Sequence, residues 1–367
     1  MNRPTILGFV GDLMLGRGVS AALPSSAPDS FWGDVLPILH SADAVLGNLE
    51  CPITIQQTEW KRCWKAFRFR ADPHAVDVLR TGNIRFVTLA NNHILDFETN
   101  GLLDTLQHLQ GAGIAHAGAG RDSLEALRPA VFEVNGLRIG VIAMTDNMRE
   151  FAARPDSAGT NFMRIRCDHM TLGLIASELA ALRKDGVQIV VLSAHWGCNL
   201  RPWPSYRFQA FARAVVDLGV DVFHGHSAHL LHGIERRGNG IILYDTGDFL
   251  DDYWVFPFVR TDRSCLFLID IVGGRVDRIR LVPVMLFPGR VQLARGRHAQ
   301  IIAARMLRSS LAFAAAGDAG TVELSFECAH RPEVRRATEV RLADAESCIP
   351  QMSIADFGRM PRTLEQT

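Results

Sequence analysis

The sequence predicts an α/β layered fold, and three observations carry that expectation. Short apolar runs recur along the chain, and each ends in a turn bearing Gly, Asn, Asp or His. Amphipathic helical stretches fall between these runs. The composition is that of a soluble globular chain, with 48% hydrophobic and 21% charged residues in 367. Strands that alternate with helices build layered sheets, and open α/β sheets gather their ligands at one edge, beyond the strand ends.

The elements follow in order. Residues 5–10 form an apolar run closed by Gly11-Asp12, and residues 44–46 repeat the pattern before Gly47-Asn48. Residues 84–89 do so before Ala90-Asn91-Asn92-His93, and residues 138–143 before Met144-Thr145-Asp146. Residues 188–193 lead into Ala194-His195-Trp196-Gly197, residues 220–223 into His224-Gly225-His226, and residues 240–244 into Asp245-Thr246-Gly247-Asp248. Helical patterns cover 75–80, 101–111, 168–183 and 205–218, the second with Leu102, Leu103, Leu106 and Leu109 on one side and Gly111 and Gly113 as stops. Residues 264–272 and 275–283 read as an antiparallel pair around Gly273-Gly274. The character changes near residue 291, so 1–290 is expected to be the main domain and 291–367 an accessory segment. Within that segment 296–316 is a helix candidate, while 321–328, 337–342 and the tail 349–367 carry weak signals.

Composition also excludes classes. Lys plus Arg equals Asp plus Glu at 39 each, so no basic excess recommends a nucleic-acid partner. No stretch approaches the ~20 consecutive apolar residues of a membrane span. The first apolar run lacks a cleavage site and reads as a strand, not a signal peptide. Cysteines at 51, 63, 167, 198, 265, 328 and 348 are odd in number and scattered, which favours a reducing, cytoplasmic setting.

The chemistry concentrates at the strand ends: Asp12, Asn48, Glu50, Asn91, Asn92, His93, Asp96, His195, His224, His226, His229, His232 and Asp248. Carboxylate, imidazole and amide donors of this mix suit Mn, Fe or Zn, and several together can hold one or two such ions. Each piece alone also has an ordinary explanation. Gly-Asp is a common turn, Asn91-Asn92-His93 fits a helix cap, and His195 beside Trp196 fits a core histidine. The run HGHSAHLLH is different, since histidines at 224, 226, 229 and 232 give an imidazole density that cores seldom need. There is no Walker A sequence and no GxSxG elbow.

The segments GFVGDLMLGRGV, ADAVLGNLECPI, FRFRADP, the long run from GNIRFVTLANNHILDF to RDSLEALRPAV, VLSAHWGCNLRPWPSYRF through VFHGHSAHLLHGIE, and IILYDTGDF together resemble the CapA-type poly-gamma-glutamate capsule synthesis proteins. That family belongs to the calcineurin-like metallophosphoesterase superfamily, and the resemblance spans roughly residues 5–260. It implies a four-layer α/β/β/α sandwich with a metal centre at the strand ends. It further implies that Asp12 is the first ligating aspartate, with Met14 standing where the superfamily usually has a histidine. Glu50 falls where a bridging carboxylate is expected, and Asn48 competes for that role. Asn92 matches a ligand, His93 a proton donor, His195 the fourth-motif ligand, and His226 and His229 the final pair in a GHxxH spacing. Cys198-Asn199, Ser227-Ala228-His229-Leu230 and Gly247-Asp248-Phe249 depart from the usual pattern.

The expected metal ligands are therefore Asp12, Asn48, Glu50, Asn92, His195, His226 and His229. The expected catalytic residues are His93, Asp96 and Arg17, and Arg68 or Arg70 is a further candidate to hold an anionic group. The leading expectation is a metal-dependent hydrolase whose metal-activated water attacks a phosphoester or amide of a small anionic substrate or polymer, with a homo-oligomer as an option. The alternatives are a component of amide-polymer synthesis or transfer and a non-catalytic metal-binding module.

Overall fold

The computed structural model describes residues 3–315 and 324–326, all within the compact unit Met1–Pro332. The first part of the chain forms β1 (Thr5–Leu13), α1 (Arg17–Ala22), α2 (Leu36–Leu39), β2 (Ala44–Leu49), α3 (Ala75–Thr81), β3 (Ile84–Thr88), α4 (Glu98–Gly111) and β4 (Ala115–Ala117). The middle forms β5 (Ala119–Gly120), α5 (Ser123–Leu127), β6 (Ala130–Val134), β7 (Leu137–Thr145), β8 (Gly159–Thr160), α6 (His169–Lys184), β9 (Ile189–His195), α7 (Tyr206–Asp217) and β10 (Val222–His226). The last part forms β11 (Ile234–Arg237), β12 (Gly240–Leu243), β13 (Asp248–Leu250), β14 (Arg263–Val272), β15 (Arg275–Phe287), β16 (Arg290–Leu293), α8 (Gly296–Ala315) and β17 (Leu324–Phe326). The seven apolar runs and the four helical patterns of the sequence all coincide with elements of the matching kind. Of the weakly signalled stretches, 337–342, 349–367 and all of 321–328 except 324–326 lie outside the described residues.

Two large sheets face each other. One has the order β16-β15-β14-β1-β2-β3-β4, with β13 also on β1 and β17 on β15. The other has the order β11-β12-β10-β9-β7-β6. Alternation along the strands sends Leu7, Phe9, Leu46, Phe86 and Phe267 of the first sheet against Ile139, Val141, Val191 and Val222 of the second. Each such side chain stabilises by about 1.5–3 kcal/mol when fully buried. The outer face of the first sheet carries Val19, Leu39, Val78, Leu79, Leu102 and Leu109 of α1 to α4. The outer face of the second carries Ile175 of α6 and Phe211, Val215 and Val216 of α7. The result is the four-layer α/β/β/α sandwich.

Local sequence explains the helix starts. Asp168 accepts from Thr171 N at 2.8 Å to open α6, and Ser205 accepts from Phe208 N at 3.4 Å to open α7. Such caps contribute about 1 kcal/mol each. β16 pairs with β15, and α8 sets Ala299, Ile302 and Met306 into the inter-sheet core. No helix among the described residues is long and apolar enough to cross a membrane.

Candidate metal centre

Strand register assembles the site. In the first sheet Asp12 of β1 lies opposite Asn48 of β2 on one side and Asp248 of β13 on the other. In the second sheet His226 of β10 lies opposite His195 of β9. Packing the sheets face to face brings the two rows together, and His224 Nε2 fastens them at 3.0 Å from the Val10 carbonyl of β1. Gly11 is what allows the closest approach, because a Cβ there would stand 1.7 Å from the Gly247 carbonyl oxygen.

Two groups of side chains share Asp12. One is Asp12, His195 and His226, and the other is Asp12, Glu50, His229 and Asp248; within each, the potential ligand atoms lie within 4.8 Å of one another. Asp12 Oδ1 is 3.6 Å from His226 Nδ1 and 4.0 Å from His195 Nδ1. Asp12 Oδ2 is 3.4 Å from His229 Nδ1, which lies 2.7 Å from Asp248 Oδ1. His195 Nε2 is 3.9 Å from Glu50 Oε1 and 2.8 Å from Asn92 Oδ1. Asn48 Nδ2 donates to Asp12 Oδ1 at 2.8 Å, and Asn91 Nδ2 donates to Asn48 Oδ1 at 3.0 Å. The extra residue in GHxxH is accommodated by left-handed backbone at Ser227 (φ 110°) and His229 (φ 56°), a conformation costing about 1–3 kcal/mol per residue.

The electrostatics fit a cation. Burial, then the Glu50 charge, holds the Asp12 carboxyl well above the usual carboxylate range. Burial likewise lifts Glu50 to about 7. Burial alone would depress His229, but Asp248, Glu50 and Asp12 surround it and hold it well above the usual histidine range. His195 and His226 are held well below that range, by burial first and by neighbouring imidazoles next, so both are neutral donors of lone pairs. Asp12 Oδ2 and Asp248 Oδ2 are buried with no hydrogen-bond partner among the described residues. Buried acceptors are normally satisfied. A divalent ion in each group would satisfy both oxygens and offset the clustered carboxylates.

Beside these groups sits a second constellation. His93 Nδ1 is 2.7 Å from Asp96 Oδ2, which also accepts from Phe69 N at 2.7 Å. Lys65, buried in the loop between β2 and α3, bonds to Asp96 Oδ1 and to the Asn92 carbonyl, and its Nζ is 3.0 Å from His93 Nδ1. The Phe69 ring covers His93 at 4.4 Å between centroids. Asn91 Oδ1 accepts from His93 N and Ile94 N, each at 3.0 Å, so Asn91 shapes the turn, while α4 begins later, at Glu98.

The structure thus brings together Asp12, Asn48, Glu50, Asn92, His195, His226 and His229, with His93 and Asp96 alongside. Arg17 stands apart, its Nε 3.5 Å from Asp252 Oδ1. Arg68 donates to the Trp60 carbonyl at 2.9 Å, and Arg70 bonds to the Gln56 carbonyl and lies over the Phe97 ring. Met14 is buried, and its Sδ accepts from Gly16 N at 3.1 Å. His224 is taken up by Val10, and His232 by the Arg201 carbonyl at 2.8 Å. Sequence reasoning noticed Asp248 at a strand end but gave it no role. It missed Lys65 and Tyr253, whose hydroxyl donates to Glu50 Oε2 at 3.3 Å. A Gly-Asp pair closing an apolar run was the usable signal for Asp248; neither of the others follows such a run.

Comparison with known proteins adds the family context. Residues 6–253 match the family described as bacterial capsule synthesis protein PGA_cap. The chain is similar to the PGA biosynthesis protein CapA of Bacillus subtilis (strain 168), with 31% identity over 278 residues, 75% of this chain and 70% of that protein. It is similar to a probable polyglutamine synthesis accessory protein of Mycobacterium tuberculosis (strain H37Rv), with 32% identity over 327 residues, 77% of this chain and 85% of that protein. The capsule biosynthesis protein CapA of Bacillus anthracis is 29% identical over 290 residues, 78% of this chain and 69% of that protein.

Proposed function

Because the chain belongs to the bacterial capsule synthesis protein PGA_cap family, we propose that it is a metal-dependent hydrolase acting on a phosphoester or amide bond of an anionic substrate, in the handling of a capsule polymer. The observation that carries the reading is the pair of buried groups sharing Asp12, with unpartnered oxygens on Asp12 and Asp248. Asp12, His195 and His226, with Asn48 and Asn92 in reach, would hold one ion. Asp12, Glu50, His229 and Asp248 would hold the other. A bound Mn, Fe or Zn ion supplies Lewis-acid polarisation of the scissile group and lowers the pKa of a water.

The remaining chemistry belongs to the chain. Asp96 fixes the His93 ring through Nδ1, which leaves Nε2 as the atom that passes a proton to the leaving group. Burial, with Lys65 adding to it and Asp96 opposing, holds His93 down to about 4. An anionic substrate beside the ring stabilises its charged form, so proton donation is coupled to substrate binding. Lys65 and Phe69 confine the ring on its other sides. Arg17, exposed and singly paired, is available to an anionic group entering from solvent.

The relatives' names favour a second reading, a component of polyglutamate-type amide synthesis or transfer. Both readings use the same ions, and a substrate panel separates them. Metal-loaded protein that cleaves bis-p-nitrophenyl phosphate or a γ-glutamyl anilide, and loses that activity on chelation, supports hydrolysis. No turnover on any phosphoester or amide with Mn, Fe and Zn each supplied counts against it.

A further inference from the structure

Five arginines near α8 take no part in the metal centre. Arg260, Arg263, Arg297, Arg305 and Arg308 gather where the residues entering β14 meet α8. The backbone fixes that meeting: Arg263 N donates to the Arg260 carbonyl at 3.2 Å, and Arg305 Nη1 donates to the Val259 carbonyl at 3.3 Å. On α8, residues 297 and 308 fall on one side, because eleven residues are close to three whole turns of a helix, and residue 305 lies within about a quarter turn of both. Arg297 and Arg308 are exposed.

Compensation in this cluster is thin. Asp262 is committed to Arg260 through two bonds of 2.7 and 2.6 Å. Arg263 Nε is buried and has no acceptor among the described residues. Arg305 makes one hydrogen bond among them, to a backbone carbonyl. Burial and the neighbouring guanidiniums, Arg260 and Arg297 for Arg263, and Arg263 and Arg308 for Arg305, hold both below the ordinary arginine range, with Asp262 opposing at Arg263 and Cys265 and Asp245 opposing at Arg305. A general basic excess does not explain the cluster, since basic and acidic residues are equal in number over the chain.

We propose that Arg263, Arg297, Arg305 and Arg308 form a binding site for a linear polyanion, a chain carrying several carboxylate or phosphate groups. Guanidiniums meet such groups through paired N–H donors, and Arg263 Nε has no acceptor among the described residues. The α8 positions extend over about 16 Å from residue 297 to residue 308, at 1.5 Å per residue, which suits successive charges and exceeds what a single small anion spans. The site is separate from Asp12 and does not depend on the metal-dependent reading. Through Arg297, Arg305 and Arg308 it gives the segment beyond residue 290 a role in holding a polyanion.

Fluorescence anisotropy on the full-length protein tests it, with a labelled γ-linked deca-glutamate as probe and inorganic tripolyphosphate in a parallel competition. The wild type should bind at least one of the two, with affinity that falls as salt is raised. Arg263→Gln and Arg305→Gln should each weaken binding about tenfold, as loss of a charge-assisted contact does. Arg297→Glu and Arg308→Glu change exposed residues and should weaken it at least as much without disturbing the fold. Arg85→Gln, which changes an exposed arginine of β3, should bind as the wild type does, which separates this site from a general effect of charge. Binding of the glutamate chain alone identifies a carboxylate polymer, and binding of tripolyphosphate alone identifies a phosphate one. Binding of neither probe below the ~1 mM range, or four arginine variants that bind like the wild type, overturns the proposal.

Discussion

Replacing Asp12 with Asn should stabilise the metal-free protein and abolish its response to metal. Asp12 is fully buried, with one oxygen unpartnered and the charges of Glu50, Asp248 and Asp245 bearing on it. Burial, then Glu50, raises its carboxyl on folding. A group raised on folding contributes stability that is fully present below its unfolded value and is lost as pH rises through the folded one. As pH rises above the ordinary carboxylate range, the raised carboxyl costs the folded state stability that a neutral side chain would not lose. Asparagine keeps the shape and can still accept from Asn48, without that cost. Metal-free Asp12→Asn should therefore be more stable than the wild type at pH 7, and the difference should vanish near pH 4. At 100 times its dissociation constant, Mn or Zn should stabilise the wild type by about 2.7 kcal/mol and the variant by almost nothing. Urea denaturation with chelator, then with each metal, measures both. A metal-free variant less stable than the wild type at pH 7, or one that gains as much from metal, refutes the reasoning.

Two further outcomes follow from the same geometry. His93→Gln should retain its metal and lose about 10²–10⁴ in turnover on substrates with poor leaving groups, with a smaller loss for p-nitrophenyl leaving groups; equal losses for both, or lost metal, count against the proton-donor role. Burial holds His232 at about 4, so its neutral form supports the fold above the ordinary value of 6.5, and that support is lost as pH falls from there towards the folded value. His232→Gln should remove about 3 kcal/mol of the acid-side loss of stability between pH 7 and pH 4, and an unchanged slope in urea denaturation across that window contradicts the assignment.

The legible part of the site is the part that follows strands. An apolar run closed by Asp, Asn or His marks both the element and the position of its terminal side chain, which is why Asp12, Asn48, Asn92, His195 and His226 could be singled out together. The sharing of Asp12 between two groups was not legible, because it depends on β13 lying parallel to β1 with Asp248 opposite Asp12. Lys65 lies in an irregular stretch with no periodicity to reveal that it is buried, and its role exists only through contacts with Asn92, His93 and Asp96. Tyr253 was equally silent, since an isolated tyrosine in a loop carries no pattern. Residue type suggested Arg17 as an anion clamp, but its ion pair with Asp252 was not legible, because it is a property of loop placement. The run of four histidines divides by backbone direction: His226 and His229 face Asp12, while His224 and His232 bond to carbonyls elsewhere.

The most direct measurement is the metal content of the purified wild-type protein and of Asp12→Asn, by inductively coupled plasma mass spectrometry, before and after incubation with Mn and Zn and removal of excess ion. The two buried groups that share Asp12 predict one or two transition ions per wild-type chain and close to none in the variant. A wild-type protein that remains free of metal after both incubations, while folded by circular dichroism, contradicts the metal centre and the hydrolase reading built on it.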